Sequence, residues 1–150
     1  MKLTLASISP RTRSKSEPAD RLTTDYLARA QRYAPCDAIT YDSESALFAA
    51  IGKSTARTPA HLILLDSRGK LLTSEDLAQT LGALRDNGTQ RILLAIGPAD
   101  GWSKASQARA QLLFSLGRIT LPHELARAVL AEQLYRALTI LAGHPYHSGH

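Results

Sequence analysis

The chain has 150 residues, 44% hydrophobic and 21% charged, a composition and length that suit one globular domain with a sizeable core. No apolar run reaches the length of a membrane span, and a single cysteine, Cys36, excludes an intramolecular disulfide or a multi-cysteine metal site. The net charge of +5 is uneven: seven basic residues against three acids precede Tyr33, which suits a polyanionic partner such as RNA or, equally, a solvated basic helix face.

The alternation in KLTLASI (residues 2–8) predicts a first strand. The N-terminus lacks the pattern of a signal peptide, so the cytoplasm is the expected compartment. Residues 9–16 read as a polar loop carrying Arg11, Arg13 and Lys15. Ser16 is suited to cap a helix beginning at Glu17–Pro18, with Leu22, Tyr26, Ala30 and Tyr33 as its apolar stripe. Pro35 ends it, and CDAITY (residues 36–41) reads as a second strand. Ser43 caps a short helix bearing Ala46, Leu47, Ala50 and Ile51. HLILLD (residues 61–66) is a continuous apolar run, as in a strand buried on both faces.

A loop, SRGKLLTS, is expected next. Thr73 and Asp76 then make a capping-box start for a helix with Leu77, Leu81 and Leu84 inside and Gly88 at its end. RILLAI (residues 91–96) is a second buried strand, running into GPADGWS. A helix over residues 104–114, a short strand over 116–121 (LGRITL) and a long helix over 122–142 complete the pattern. Strand and helix alternate five times. The expectation is a single α/β domain over residues 1–150, with a largely parallel sheet of five or six strands.

Parallel sheets bind ligands beyond the carboxyl ends of their strands. Three segments hold that position: the loop after Asp66, the loop after Ile96, and residues 116–121. The glycines in IGPADG match neither a P-loop nor a dinucleotide fingerprint, so alone they signal a strand-to-helix turn. Asp66 suits a loop cap, a ribose contact or an acid. His123 is expected to bond backbone groups where the last helix opens. No Ser-His-Asp or Cys-His arrangement stands out. His144, His147 and His150 lack a fourth ligand at a familiar spacing, so no metal site is expected.

The stretch SLGRITLPHELARAVLAEQLYRALTILAGHPYH (residues 115–147) closely resembles the C-terminal part of the ribosomal RNA large subunit methyltransferase H family. That family belongs to the SPOUT group of knotted methyltransferases. LDSRGKLLTSEDLA and LLAIGPADGW resemble two of its earlier segments, so the likeness covers essentially the whole chain. It implies a SPOUT α/β fold with a C-terminal trefoil knot, a homodimer, and S-adenosylmethionine as methyl donor. The acceptor it implies is ring nitrogen N3 of a pseudouridine in large-subunit (23S) rRNA.

Carried over residue by residue, the resemblance puts the cofactor on Leu65, Gly97, Leu116, Gly117, Arg118, Ile119, Thr120 and Leu121. It puts His144, Tyr146 and His147 on the substrate side, and the basic loop with Arg11, Arg13 and Lys15 is the expected rRNA contact. Two positions depart from the family pattern. Pro98 stands where a second glycine is usual and removes an amide donor; Ser148 stands where a cation is usual. The alternatives are a knotted rRNA-binding protein with weakened catalysis, and a flavodoxin-like small-ligand domain with an incidental basic helix.

Overall fold

The computed structural model of the chain describes residues 1–10, 17–55 and 58–148. Strands β1 (Lys2–Ile8), β2 (Cys36–Tyr41), β3 (Ala60–Leu71), β4 (Arg91–Ile96) and β5 (Leu112–Ser115) alternate with helices α1 (Glu17–Ala30), α2 (Glu44–Thr55), α3 (Ser74–Asp86), α4 (Lys104–Arg109) and α5 (His123–Leu141). A 3-10 turn, Pro145–His147, follows. All strand pairs are parallel, in the order β2-β1-β4-β3-β5. The carboxyl ends of β4, β3 and β5 therefore lie side by side.

The apolar runs are continuous because the sheet is covered on both faces. Successive residues of β4 go to opposite layers: Ile92, Leu94 and Ile96 pack with Leu27, Leu77, Leu81, Leu130 and Leu134, whereas Leu93 and Ala95 pack with Leu47 and Trp102. Thus α1, α3 and α5 cover one face, and α2 and the segment leading into α4 cover the other. Burying a leucine fully is worth roughly 1.5–3 kcal/mol, and Leu3, Leu64, Leu94 and Leu134 are among those with no exposed surface. Helix α1 runs parallel to α5: near their starts Arg127 Nη1 lies 2.6 Å from Asp20 Oδ1, and midway the Tyr26 and Tyr135 rings are 6.2 Å apart.

Capping chemistry behaves as the sequence predicts. Thr73 accepts from the Asp76 amide while the Asp76 carboxylate accepts from the Thr73 amide. At the other end of α3 the Thr89 and Gly88 amides close onto the Leu84 and Arg85 carbonyls, the two bonds of a Schellman motif. Ser43 Oγ accepts from Ala46 N at the head of α2. The expected Ser16 cap lies outside the described residues.

Four expectations are corrected. The buried stripe of α1 is Ala19, Thr23, Leu27 and Ala30, and Leu22 is exposed. Thr23 enters the core because its hydroxyl donates back to the Ala19 carbonyl at 2.8 Å. The SRGKLLTS segment is not simply a loop, because β3 continues to Leu71 after a bulge, with Leu65 and Lys70 both opposite Phe114. Gly69 makes that return possible: a Cβ there would lie 2.6 Å from the Leu113 carbonyl carbon. Helix α4 stops at Arg109 instead of 114, because residues 112–115 pair with β3. Correspondingly, the last strand is Leu112–Ser115, and residues 116–121 form the loop beyond it.

Candidate functional site

The carboxyl ends of β3, β4 and β5 border a cavity of about 740 Å³, lined by residues 65–68, 96–102, 114–123 and 126. Leu65, Gly97, Leu116, Gly117, Arg118, Ile119, Thr120 and Leu121 all line it. Residues far apart in sequence meet here because β4, β3 and β5 are neighbours in the sheet.

Trp102 ties two of the loops together. Its Nε1 donates to the Leu65 carbonyl at 2.9 Å, and its indole lies so close to Gly97 that a Cβ there would come within 2.8 Å of Cε2. Glycine at 97 thus serves the indole as well as any ligand. Asp66 ties β3 to α4. Its Oδ1 accepts from the Arg68 amide at 2.8 Å, and its Oδ2 accepts from Gln107 Nε2 at 2.6 Å. Desolvation pushes the Asp66 carboxyl up, but the hydrogen bonds from the Arg68 amide, Gln107 and the Arg68 guanidinium outweigh it and hold the group below its ordinary value. Of the three roles open to Asp66, the geometry fits the loop cap.

The third wall is the 116–122 segment. Ser115 Oγ donates to the Gly117 carbonyl at 2.9 Å and the Gly117 amide lies 3.3 Å from the same oxygen, which turns the chain away from the ladder at the end of β5. Ile119 is 77% exposed on this wall. The lining carries two exposed arginines, Arg68 and Arg118, against Asp66 and Asp100, and Arg68 is paired with Asp66.

His123 opens α5 in the wall of the same cavity. It is buried, and against expectation it bonds no backbone group: neither ring nitrogen has a hydrogen-bond partner among the described residues. Sequence reasoning missed this, and it missed Trp102 and Gln107 as organisers of the site. The one tryptophan, set directly after a glycine turn, was the available signal.

The tail residues lie elsewhere. Tyr146 OH donates to Glu132 Oε1 at 3.1 Å, its ring is 4.6 Å from that of Tyr135, and the Arg136 guanidinium lies 5.0 Å from its centroid. Arg136 also pairs closely with Glu132. His144 Nδ1 accepts from the Tyr146 amide, and the His147 ring lies 3.1 Å from the His144 carbonyl. Burial, with the Glu132 carboxylate and Tyr26 nearby, pushes the Tyr146 phenol up to about 12, so it stays protonated at neutral pH. Glu132 is nine residues beyond His123, about 14 Å along α5, and no described tail residue lines the cavity of its own chain. Arg11, Arg13 and Lys15 lie outside the described residues.

A family model described as "Predicted SPOUT methyltransferase" matches residues 1–147. Ribosomal RNA large subunit methyltransferase H of Koribacter versatilis is 48% identical over 138 residues, covering 92% of this chain and 94% of that protein. The Rhizobium meliloti protein of the same name is 57% identical over 86 residues, 57% of this chain; there the match spans about half of the relative, 54%. Among solved structures, a probable methylase family protein from Haemophilus influenzae superposes with a TM-score of 0.58 at 10% identity, over 98% of this chain and 70% of that one. The SpoU methyltransferase AviRb from Streptomyces viridochromogenes, in complex with the cofactor AdoMet, gives 0.50 at 15% identity, over 96% and 58%. These two show the likeness of fold; the sequence matches show the family. The chain belongs to the SPOUT methyltransferases and, among them, to the ribosomal RNA large subunit methyltransferase H family.

Proposed function

We propose that this SPOUT methyltransferase transfers the methyl group of S-adenosylmethionine to N3 of a pseudouridine in large-subunit rRNA, acting in the cytoplasm as a single-domain, knotted homodimer. The observation that carries the reading is the convergence of three strand-end loops, with all eight residues expected to hold the cofactor, on one cavity. The lining fits an S-adenosyl group. Leu65, Leu116, Ile119 and Leu121 offer apolar wall, and a buried imidazole with two unpartnered nitrogens offers a polar contact. Segment 116–122 shares that cavity with residues 65–68 and 96–102, which supports placing the trefoil knot there.

When bound, the cofactor supplies a methyl group already activated on a sulfonium. The chain's own task is to orient, to exclude water and to deal with the N3 proton. Leu65, Leu116 and Leu121 exclude water. Arg68 and Arg118 attract rRNA phosphates and stabilise negative charge that develops on the base, and Arg11, Arg13 and Lys15 extend that attraction. His144, Tyr146 and His147 meet the target base. Tyr146, held protonated with its hydroxyl donated to Glu132, serves as a stacking surface, which leaves proton removal to the histidines.

The tail packs on its own α5 about 14 Å from the head of that helix, so in this reading it completes the cavity of a second copy. Exposed Leu22 on α1 and Leu125 on α5 offer apolar contact for that copy. The test is incubation with S-adenosylmethionine and ribosomes lacking the modification, followed by nucleoside mass spectrometry of the separated rRNAs. Methylpseudouridine from the large subunit supports the assignment. Cofactor binding without methylation of any rRNA points instead to the weakened rRNA binder that Pro98 and Ser148 would suit, and absence of both rejects the reading.

A further inference from the structure

His123 has 4% of its side chain exposed and lines the cavity, yet neither Nδ1 nor Nε2 makes a hydrogen bond among the described residues. A buried polar group without a partner is costly to the fold, so its presence calls for something other than the fold to complete it. Its surroundings are ordered on one side. Nδ1 lies 3.5 Å from Glu124 Oε1. Arg127 Nη1 lies 3.3 Å from Glu124 Oε2 and 2.6 Å from Asp20 on α1. The Glu124 carboxylate favours a hydrogen on Nδ1, and in the neutral ring with that tautomer Nε2 is the acceptor.

We propose that His123 is a cofactor-positioning residue, whose Nε2 accepts a hydrogen bond from a hydroxyl or amino group of the S-adenosyl cofactor. The proposal rests on the cofactor reading above and adds to it a residue beyond the three loops. Both ring nitrogens are closed off from solvent, so contact with Nε2 takes a ligand that enters the cavity fully and a small turn of the ring, not a ligand lying across the rim. That assigns the contact to the cofactor and not to the rRNA. Glu124 orients the ring, and Arg127 with Asp20 fixes Glu124 against α1.

The test compares the wild type with His123→Phe and His123→Gln, by calorimetric titration with S-adenosylhomocysteine and with methylthioadenosine, which lacks the amino-acid end. Ring ¹⁵N signals of the wild type are followed through the same titrations. His123→Phe removes the unpartnered nitrogens, so it melts at or above the wild-type temperature but binds S-adenosylhomocysteine about tenfold more weakly. His123→Gln, whose side-chain carbonyl supplies an acceptor, recovers most of the affinity, and the wild-type ring signals move on binding. An equal loss for methylthioadenosine places the partner at the nucleoside end; a loss confined to S-adenosylhomocysteine places it at the amino-acid end. If His123→Phe does not fold, His123→Gln and the ring signals decide. Unchanged affinities with unmoved signals overturn the proposal and leave the cofactor reading intact, whereas a wild type that binds neither compound overturns both.

Discussion

Trp102 and Gly97 show how a site is held by one contact at the scale of single residues. Adding a methyl group at 97 forces the indole aside, because the new carbon would sit 2.8 Å from it. Overpacking of this kind costs about 1–3 kcal/mol. Gly97→Ala is therefore expected to weaken S-adenosylhomocysteine binding, and Trp102, the chain's one tryptophan, reports the displacement directly by its fluorescence. An unchanged emission spectrum and affinity would contradict the packing argument. Asp66 supplies a pH prediction. Its folded value is depressed, so the stability it contributes is full above the ordinary carboxylate range and is lost as pH falls through the folded value. The stability difference between wild type and Asp66→Asn, measured by urea unfolding, should be positive at neutral pH and shrink below about pH 4. A difference that stays constant down to pH 3 would remove Asp66 as the cause.

At the scale of elements, α5 is the support on which the rest leans. Leu134 is fully buried between it and the sheet, and Leu134→Ala should cost about 2–5 kcal/mol of unfolding free energy. A loss under ~1 kcal/mol would mean that the layer repacks. Strand β3 depends on Gly69 in the same way, and Gly69→Ala should disturb its pairing with β5. These elements also show what was legible in the sequence. The buried strands, the Thr73–Asp76 box and the stop after α3 were readable because each is written in local pattern. The continuation of β3 to Leu71 was not, because a bulge hides two paired residues behind a turn-like SRG, and only β5 tells them apart. The 104–114 segment was misread for a related reason: a short apolar run such as LLFS fits a helix or a strand, and its partner Ile63–Leu65 lies about fifty residues away. The three loops that line the cavity were legible through strand-end logic and through resemblance together. The unpartnered His123 was not, since burial and hydrogen-bond satisfaction are properties of the assembled site.

At the scale of the molecule, the cavity lies at the head of α5 and the tail packs against its middle. Tyr146 is bound to Glu132, Tyr135 and Arg136, so Tyr146→Phe should leave cofactor affinity unchanged while loosening the tail, seen as faster amide exchange over residues 143–148. Loss of cofactor affinity in that variant would place the tail at its own cavity. In the proposed reading, one copy's cavity holds the methyl donor and another copy's tail meets the base. The most direct test is methyl transfer from tritiated S-adenosylmethionine to ribosomes lacking the modification. It would use the wild type, Gly97→Ala, the double variant Tyr146→Ala, His147→Ala, and a refolded mixture of these two variant proteins. Label is expected in large-subunit rRNA with wild type, little with either variant alone, and recovery in the mixture, where an intact cavity meets an intact tail. Transfer that does not recover in the mixture would contradict the shared site, and no transfer by the wild type would contradict the function itself.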